Sequence, residues 1–309
     1  MSIAIVFNLK APQTWAATLA KHLPDTLIEI YPNISDFSAV DFVLCWKPDQ
    51  NVLAQFPNLK VIQSVGAAVD HITKTQEIKE YQTITRIVDE NLSHDMFEFL
   101  LATVLAQLKN IPLYSQQKAQ ILWQPKVYQN IKDTQISILG LGKIGAYVAE
   151  NLAIIGFKVK GWSGSKKEIK GVESYAGENE ISSFLENTDV LINILPVTLQ
   201  TENIINKNLL MQLNKGAFLI NVGRGEHVVE QDLMETLDSE HLSAAWLDVF
   251  RTEPLPIEHP FWSHPKIQIT PHTASVTRID TAVLLVVDNY KNHLNGKPLK
   301  HVASLTKGY

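Results

Sequence analysis

Short β-branched runs alternate with helix-length segments along almost the whole chain, and no other feature constrains the fold as much. IAIVF at 3–7, LIEIY at 27–31, FVLCW at 42–46, KVIQS at 60–64 and TITRIV at 83–88 are separated by stretches long enough to cross over a sheet. Strands joined in that way pair in parallel, which argues for an α/β protein against a sandwich or a helical bundle. A capped amphipathic helix is then expected from Ser93, with Met96, Phe99, Leu100, Thr103, Val104 and Gln107 on one mostly apolar stripe. It reads as a connector between two domains.

A polar, irregular segment at 109–133 interrupts the rhythm, which resumes with ISILG at 136–140, KVKGW at 158–162, VLINIL at 190–195, AFLINV at 217–222, AAWLDV at 244–249 and IQIT at 267–270. Six strands with intervening helices match a doubly wound nucleotide-binding sheet. A last amphipathic helix starts at Ile279, carries Val283, Val286, Tyr290 and Leu294, and stops at Gly296-Lys297-Pro298. With 309 residues, 45% of them hydrophobic, the chain has material for two ordinary cores. Its net charge of −5, without long like-charge runs, gives no footprint for nucleic acid or an anionic membrane. Its one cysteine, Cys45, excludes an intramolecular disulfide and a cysteine-rich zinc site, and no metal site is expected. MSIAIVFNLK carries no basic leader before a long apolar run, so the reading is a soluble, cytoplasmic protein.

ISILGLGKIGAYVAENLAII places Gly140, Gly142 and Gly145 in GxGxxG spacing, directly after a strand and at the opening of a helix. Gly140 permits the tight turn, Gly142 lets backbone approach a pyrophosphate, and Gly145 allows close helix–strand packing. The free N–H groups of the helix start favour an anion. A plain strand–helix turn is the other reading. The next strand ends in KGWSGSKK at 160–167, about 20 residues past the glycines, where an acid would hydrogen-bond the ribose 2′-hydroxyl of NAD. Here Ser163 replaces that acid. Ser163 and Ser165 can donate to a 2′-phosphate and Lys166 and Lys167 can neutralise it, so the stretch points to NADP(H), with NAD(H) as the second cofactor. Against this stands a solvated loop whose lysines simply face water.

Arg224 in NVGRGE, Glu253 in DVFRTEPLP and His272 in ITPHTAS lie at or after the ends of later strands. In an open parallel sheet those loops converge on the ligand crevice. Arginine offers a planar fork of donors to a carboxylate or keto oxygen. Histidine can protonate a carbonyl on its way to an alkoxide, and a glutamate on its other nitrogen would orient it and favour its charged form. Taken singly, each residue is as easily explained as a surface bridge, a loop contact or a solvated acid.

Together, the glycine loop, NVGRGE, LDVFRTEPLP and ITPHTA, in this order and with SVGAAVDHI upstream, resemble the D-isomer-specific 2-hydroxyacid dehydrogenase family over essentially the whole chain. LCWKPD at 44–49, WQP at 123–125, WSGSKK, HVVEQDLMETLDS and the closing KGY are most similar to its subgroup acting on glyoxylate and hydroxypyruvate. The resemblance implies a flavodoxin-like substrate domain, discontinuous in sequence, from 1–95 and 285–309, a Rossmann dinucleotide-binding domain at 96–284, and an active site between them. It implies Arg224 as the substrate-binding arginine, His272 as proton donor and Glu253 as its acidic partner. Asp248 would hold the nicotinamide carboxamide, and Leu195 and Pro196 would lie against the adenosine half. The loop Gly140, Leu141, Gly142, Lys143, Ile144 and Gly145 would cradle the pyrophosphate. Gly66 and Ala67 would hold the substrate carboxylate through backbone N–H groups, beside an aromatic wall at Trp46. A homodimer is implied, with the long helix and the 109–130 arm at its interface.

The chain departs from the family at Ala68 and Ser275, where glycines are usual. Asp70-His71 reads as the start of a helix in preference to an acid–base pair, and Cys45 as a small buried strand residue. The activity implied is reduction of a short 2-oxo acid by NADPH, with His272 protonating the oxygen. Phosphoglycerate, lactate and formate dehydrogenase activities, and a dinucleotide-sensing protein of the corepressor kind, are the alternatives.

Overall fold

The computed structural model describes residues 2–8 and 11–304. The chain divides into two compact units, one running to Asn91 and resuming at Thr277, the other spanning Leu92–Val276. The closing KGY lies outside the described residues.

In the first unit, β1 (Ser2–Phe7), β2 (Leu27–Ile30), β3 (Val40–Trp46), β4 (Val61–Ser64) and β5 (Thr83–Thr85) form one sheet in the order β2-β1-β3-β4-β5. Every pairing is parallel, and the order is that of a flavodoxin-like sheet. β1 and β3 read as continuous apolar runs because both faces of the sheet are covered: Ile3, Ile5, Phe42 and Leu44 are all fully buried. Helix α1 (Pro12–His22) follows β1, and a single turn, α2 (Asp70–Thr73), follows β4. The C-terminal helix, Ile279–Leu294, packs through Val283, Val286 and Tyr290, the last meeting Phe42 edge to face at 5.4 Å. The expected boundary at 285 would cut this helix, whereas its apolar stripe belongs to the first unit along its whole length.

The second unit contains β6 (Gln135–Leu139), β7 (Lys158–Ser163), β8 (Val172–Ala176), β9 (Val190–Asn193), β10 (Ala217–Asn221), β11 (Leu242–Leu247) and β12 (Ile267–Ile269). They form one parallel sheet in the order β12-β11-β10-β9-β6-β7-β8. One strand more is present than the sequence suggests. β8 escapes the periodicity argument because it is an edge strand with no fully buried residue, so VESYA carries no apolar run. β6 lies between β7 and β9, and the chain reverses its direction of travel across the sheet there. That reversal opens a crevice at the carboxyl ends of β6 and β9, the usual ligand position in such sheets.

Helix α3 (Glu90–Leu108) begins earlier than Ser93 because the Asp89 carboxylate accepts the Asn91 N–H at 3.0 Å and caps it. Its Met96, Leu100 and Val104 join the core of Ile136, Ile138 and Ile192, so it belongs to the second unit from its first turn, ahead of the boundary expected at 96. The 109–133 segment is not wholly irregular. Asn110 breaks the chain with a left-handed φ of 58°, and α4 (Ile111–Ala119) follows with a proline in its first turn, where the missing N–H costs nothing. Helices α5 (Lys143–Ile155), α6 (Ile181–Leu185), α7 (Lys207–Leu210) and α8 (Glu230–Asp238) complete the unit. No single helix among the described residues is long and apolar enough to cross a membrane.

Candidate active site

The glycine loop joins β6 to α5 at the crevice. Gly140 has φ +106°, and a Cβ there would stand 2.9 Å from the Ile194 carbonyl oxygen at the end of β9. A Cβ on Gly145 would stand 1.8 Å from Gly140 O, so the helix approaches the turn only because that atom is absent. Gly142 is different: it is exposed, faces open space and is the N-cap of α5 without a side-chain cap. The first turn of a long helix therefore presents uncapped N–H groups to an unobstructed approach, which fits a pyrophosphate. Lys143 is exposed and Ile144 half-buried there. Leu141 behaves otherwise than a cofactor-facing side chain: it is 3% exposed and packs on Gly161, so it has only backbone to offer a ligand.

At the end of β7, Ser163 Oγ donates to Ser165 O at 2.8 Å, and Ser165 is exposed. Lys166 pairs with Glu180 at 2.8 Å. That ammonium and the Ala176 N–H hold the Glu180 carboxyl below its ordinary range. The Lys167 N–H donates to Ser174 Oγ on β8 at 2.9 Å. The missed edge strand thus anchors this loop, and Glu180 competes for the cation expected to meet a phosphate. Leu195 is buried and Pro196 half-buried just past β9.

His272 and Glu253 meet: Nδ1 lies 2.9 Å from Glu253 Oε2. Their side chains are 32% and 18% exposed, so a reacting group can reach the ring while water is partly excluded. His272 sits at φ 55°, a left-handed conformation rare outside glycine. Asp248, at the end of β11 and 2% exposed, holds it there. Its backbone carbonyl accepts the His272 N–H at 2.9 Å. Its Oδ1 accepts Thr270 Oγ1 at 2.6 Å and the Thr273 N–H at 2.8 Å, and its Oδ2 accepts the Ala274 N–H at 3.0 Å. Asp248, the residue expected to hold a carboxamide, thus also clamps the histidine loop.

In the first unit, a Cβ on Gly66 would stand 2.7 Å from Trp46 Cζ3, so only glycine fits beneath that ring. The Gly66 N–H donates to Ser64 Oγ at 3.1 Å, and the Ala67 carbonyl accepts from Arg86 Nη1 at 3.2 Å. Of the two amides expected to face a carboxylate, that of Gly66 is therefore already engaged. Ala68 and Ser275 both lie outside the left-handed region, which explains why neither position needs glycine here. Asp70 opens α2, as expected. His71 accepts the Lys47 N–H on Nδ1 at 3.1 Å, lies 3.0 Å from Ser64 Oγ through Nε2, and meets Trp46 in a tilted contact with centroids 4.6 Å apart. Its ring braces the turn.

Arg224 follows β10, half-buried, with Nη1 donating to Gly223 O at 2.7 Å. Three residues that sequence reading passed over form a network behind it, Asn221 and His227 against its backbone and Asn193 between them, all fully buried. Their only signal is that each is a polar residue inside or beside an apolar run. Burial pushes His227 down to about 4 from an ordinary 6.5. The unfolded chain therefore takes up a proton there well before the folded one. Stability from this residue is complete above pH 6.5 and is lost as pH falls toward 4, by roughly 3 kcal/mol. A His227→Asn variant should flatten the pH dependence of the urea unfolding free energy between pH 7 and 4 by about that amount; parallel profiles would refute this.

The family model for the D-isomer specific 2-hydroxyacid dehydrogenase NAD binding domain matches residues 101–274. The chain is 40% identical to a glyoxylate/hydroxypyruvate reductase A from Yersinia enterocolitica, over 100% of both chains. A D-isomer specific 2-hydroxyacid dehydrogenase from Xanthobacter autotrophicus, solved with NADPH and MES, superposes with a TM-score of 0.93 at 32% identity, covering 100% of this chain and 99% of that one. An NADPH-dependent glyoxylate/hydroxypyruvate reductase from Sinorhizobium meliloti, solved with NADP and sulfate, does so with a TM-score of 0.93 at 33% identity over 100% of both. With a glycine loop at the switch point and an arginine and a histidine–glutamate pair after later strands of the same sheet, the chain belongs to the D-isomer specific 2-hydroxyacid dehydrogenase family.

Proposed function

We propose that this protein reduces short 2-oxo acids, glyoxylate or hydroxypyruvate, to the 2-hydroxy acids with NADPH. The observation that carries the reading is the 2.9 Å contact between His272 and Glu253, held by the buried Asp248 clamp in the sheet that bears the glycine loop. The relatives named for this activity support it. NADPH, when bound, supplies a hydride to the keto carbon. The chain supplies the rest. Arg224 binds the carboxylate or keto oxygen through its planar fork. In the imidazolium form of His272, Glu253 accepts the Nδ1–H, which orients the ring so that the Nε2–H delivers its proton to the substrate oxygen and the ring is left neutral. In the first unit, the Gly66-Ala67 turn and Trp46 are assigned to the substrate, with the Ala67 amide as the carboxylate donor. Gly142 and the first turn of α5 are assigned to the pyrophosphate, Leu195 and Pro196 to the adenosine half, and Ser163, Ser165 and Lys166 to a 2′-phosphate.

NADPH oxidation measured with glyoxylate, hydroxypyruvate and pyruvate tests the reading. Turnover is expected with at least the first two, and His272→Ala should lower kcat by roughly 10²-fold or more. Full activity in that variant would remove His272 from the role. Silence on all three acids, with NADPH still bound, would favour a dinucleotide sensor.

Cofactor choice has its own test. Ser163→Asp sets a carboxylate beside the 2′-phosphate, and the NADPH-over-NADH affinity ratio should fall by about 10-fold or more, or ~1.4 kcal/mol. An unchanged ratio would return this stretch to a solvated loop.

The assembly proposed is a homodimer through the arm after α4. Ile121, Trp123 and Val127 there are 95%, 96% and 97% exposed, an apolar patch unusual on a monomer. Sedimentation should give a dimer for the native chain and a monomer for a Trp123→Glu/Val127→Glu double variant; a monomeric native chain would overturn it.

A further inference from the structure

Arg224 does its proposed work only if its backbone is placed, and both polar groups of that backbone are held by buried side chains. Asn221 Nδ2 donates to Arg224 O at 2.9 Å. The Arg224 N–H points at His227 Nδ1, 3.1 Å away. The ring state follows from its other neighbours. His227 Nε2 lies 3.2 Å from Pro196 O, which can only accept, while Nδ1 faces two donors, the Arg224 N–H and Asn193 Nδ2, against one acceptor, Arg224 O at 3.1 Å; a hydrogen on Nε2 serves the larger number of these contacts. Burial keeps the ring neutral, leaving a lone pair on Nδ1. That lone pair also faces Asn193 Nδ2 at 2.9 Å, whose second hydrogen goes to Asn221 Oδ1 at 2.8 Å. Asn193 Oδ1 in turn accepts the Leu195 N–H at 3.2 Å. The network leaves no slack: a Cβ on Gly223 would stand 2.8 Å from Asn193 Nδ2 and 3.2 Å from His227 Nδ1.

We propose that His227 is a positioning residue, whose neutral ring ties the Arg224 amide to the Leu195-Pro196 segment and so sets where the guanidinium meets substrate. This rests on the reductase reading for the role of Arg224. The ring suits the task because it offers one donor and one acceptor on opposite sides of a rigid frame. A misplacement of about 1 Å at a substrate-binding group can lower the rate by about 10²-fold, even when its origin lies away from the reacting atoms.

Three variants separate the parts of the network. His227→Phe keeps a ring and removes both hydrogen bonds. His227→Asn can set Oδ1 where Nδ1 stood, keeping the acceptor for Arg224. His227→Gln can reach Pro196 O and loses that acceptor, and it takes the place of the Phe variant if that chain does not fold. The Phe or Gln variant should raise the KM for the 2-oxo acid by about 10-fold or more while the Kd for NADPH, read by nucleotide fluorescence, stays within about 3-fold. The Asn variant, which keeps the acceptor for Arg224 but not the bond to Pro196 O, should recover part of the loss. Hydrogen exchange should be faster across 221–228 in the Phe or Gln variant than in the native and Asn chains. An unchanged KM, or equal loss in all variants with NADPH affinity falling in parallel, would overturn the proposal. If the native chain reduces no 2-oxo acid, the reductase reading falls and exchange alone decides: equal protection of the Arg224 amide in native and Phe or Gln chains refutes the tie.

Discussion

The geometry of the proposed site depends first on one buried carboxylate. Asp248 is 2% exposed, and burying an acid is affordable only when its lone pairs are filled by good donors. Thr270, Thr273 and Ala274 provide them, and all three belong to the loop that carries His272. The hydrogen bonds that offset the desolvation of Asp248 thereby hold the loop closed onto it. The left-handed backbone at His272 is held by this closure, because a non-glycine residue rests there only when its surroundings determine it. Glu253 then finds Nδ1 at hydrogen-bonding distance, and the opposite nitrogen is left for chemistry.

The same logic recurs along the carboxyl edge of the sheet. β9 ends in Asn193, β10 in Asn221 and β11 just before Asp248. Each buried polar side chain turns back to satisfy the loop that follows its own or its neighbour's strand. Parallel strands make this arrangement natural, since all their carboxyl ends open on one edge, and a polar residue at one strand end is adjacent to the next. Apolar side chains below that edge form the core, and polar ones above it form a framework for Arg224 and His272. Glycines supply the remaining clearance: Gly225 admits no Cβ because Phe250 C would stand 2.0 Å from it, so the Arg224 turn and the segment after Asp248 are pressed together backbone to backbone.

Much of this was legible in the residue order. The periodicity of apolar runs marked eleven of the strands by place, since runs such as IAIVF and AFLINV are buried on both faces and cannot alternate. It could not mark β8, whose side chains are partly exposed at an edge. Helix starts were harder to read. The cap of α3 is Asp89, inside a polar run where Ser93 competes for the same role, and only the hydrogen bond to Asn91 distinguishes them. The boundaries at 91 and 277 were missed because a helix advertises its apolar stripe in sequence but not which core receives it. Arg224, Glu253 and His272 stood out as polar residues near strand ends, whereas His227, Asn193 and Asn221 did not, because a buried hydrogen-bond network has no spacing rule.

The sequence by itself determined the α/β class, the parallel pairing, the glycine turn after β6 and the family, because each rests on local pattern: period, glycine spacing and ordered motifs. Tertiary structure alone decided what the individual residues around the site do. Asp248 became a loop clamp, Leu141 a core residue, Lys166 the partner of Glu180, and His227 a neutral bridge, each through neighbours distant in the chain. Hydrogen bonding and burial are properties of surroundings, and surroundings exist only once the strands have been brought side by side.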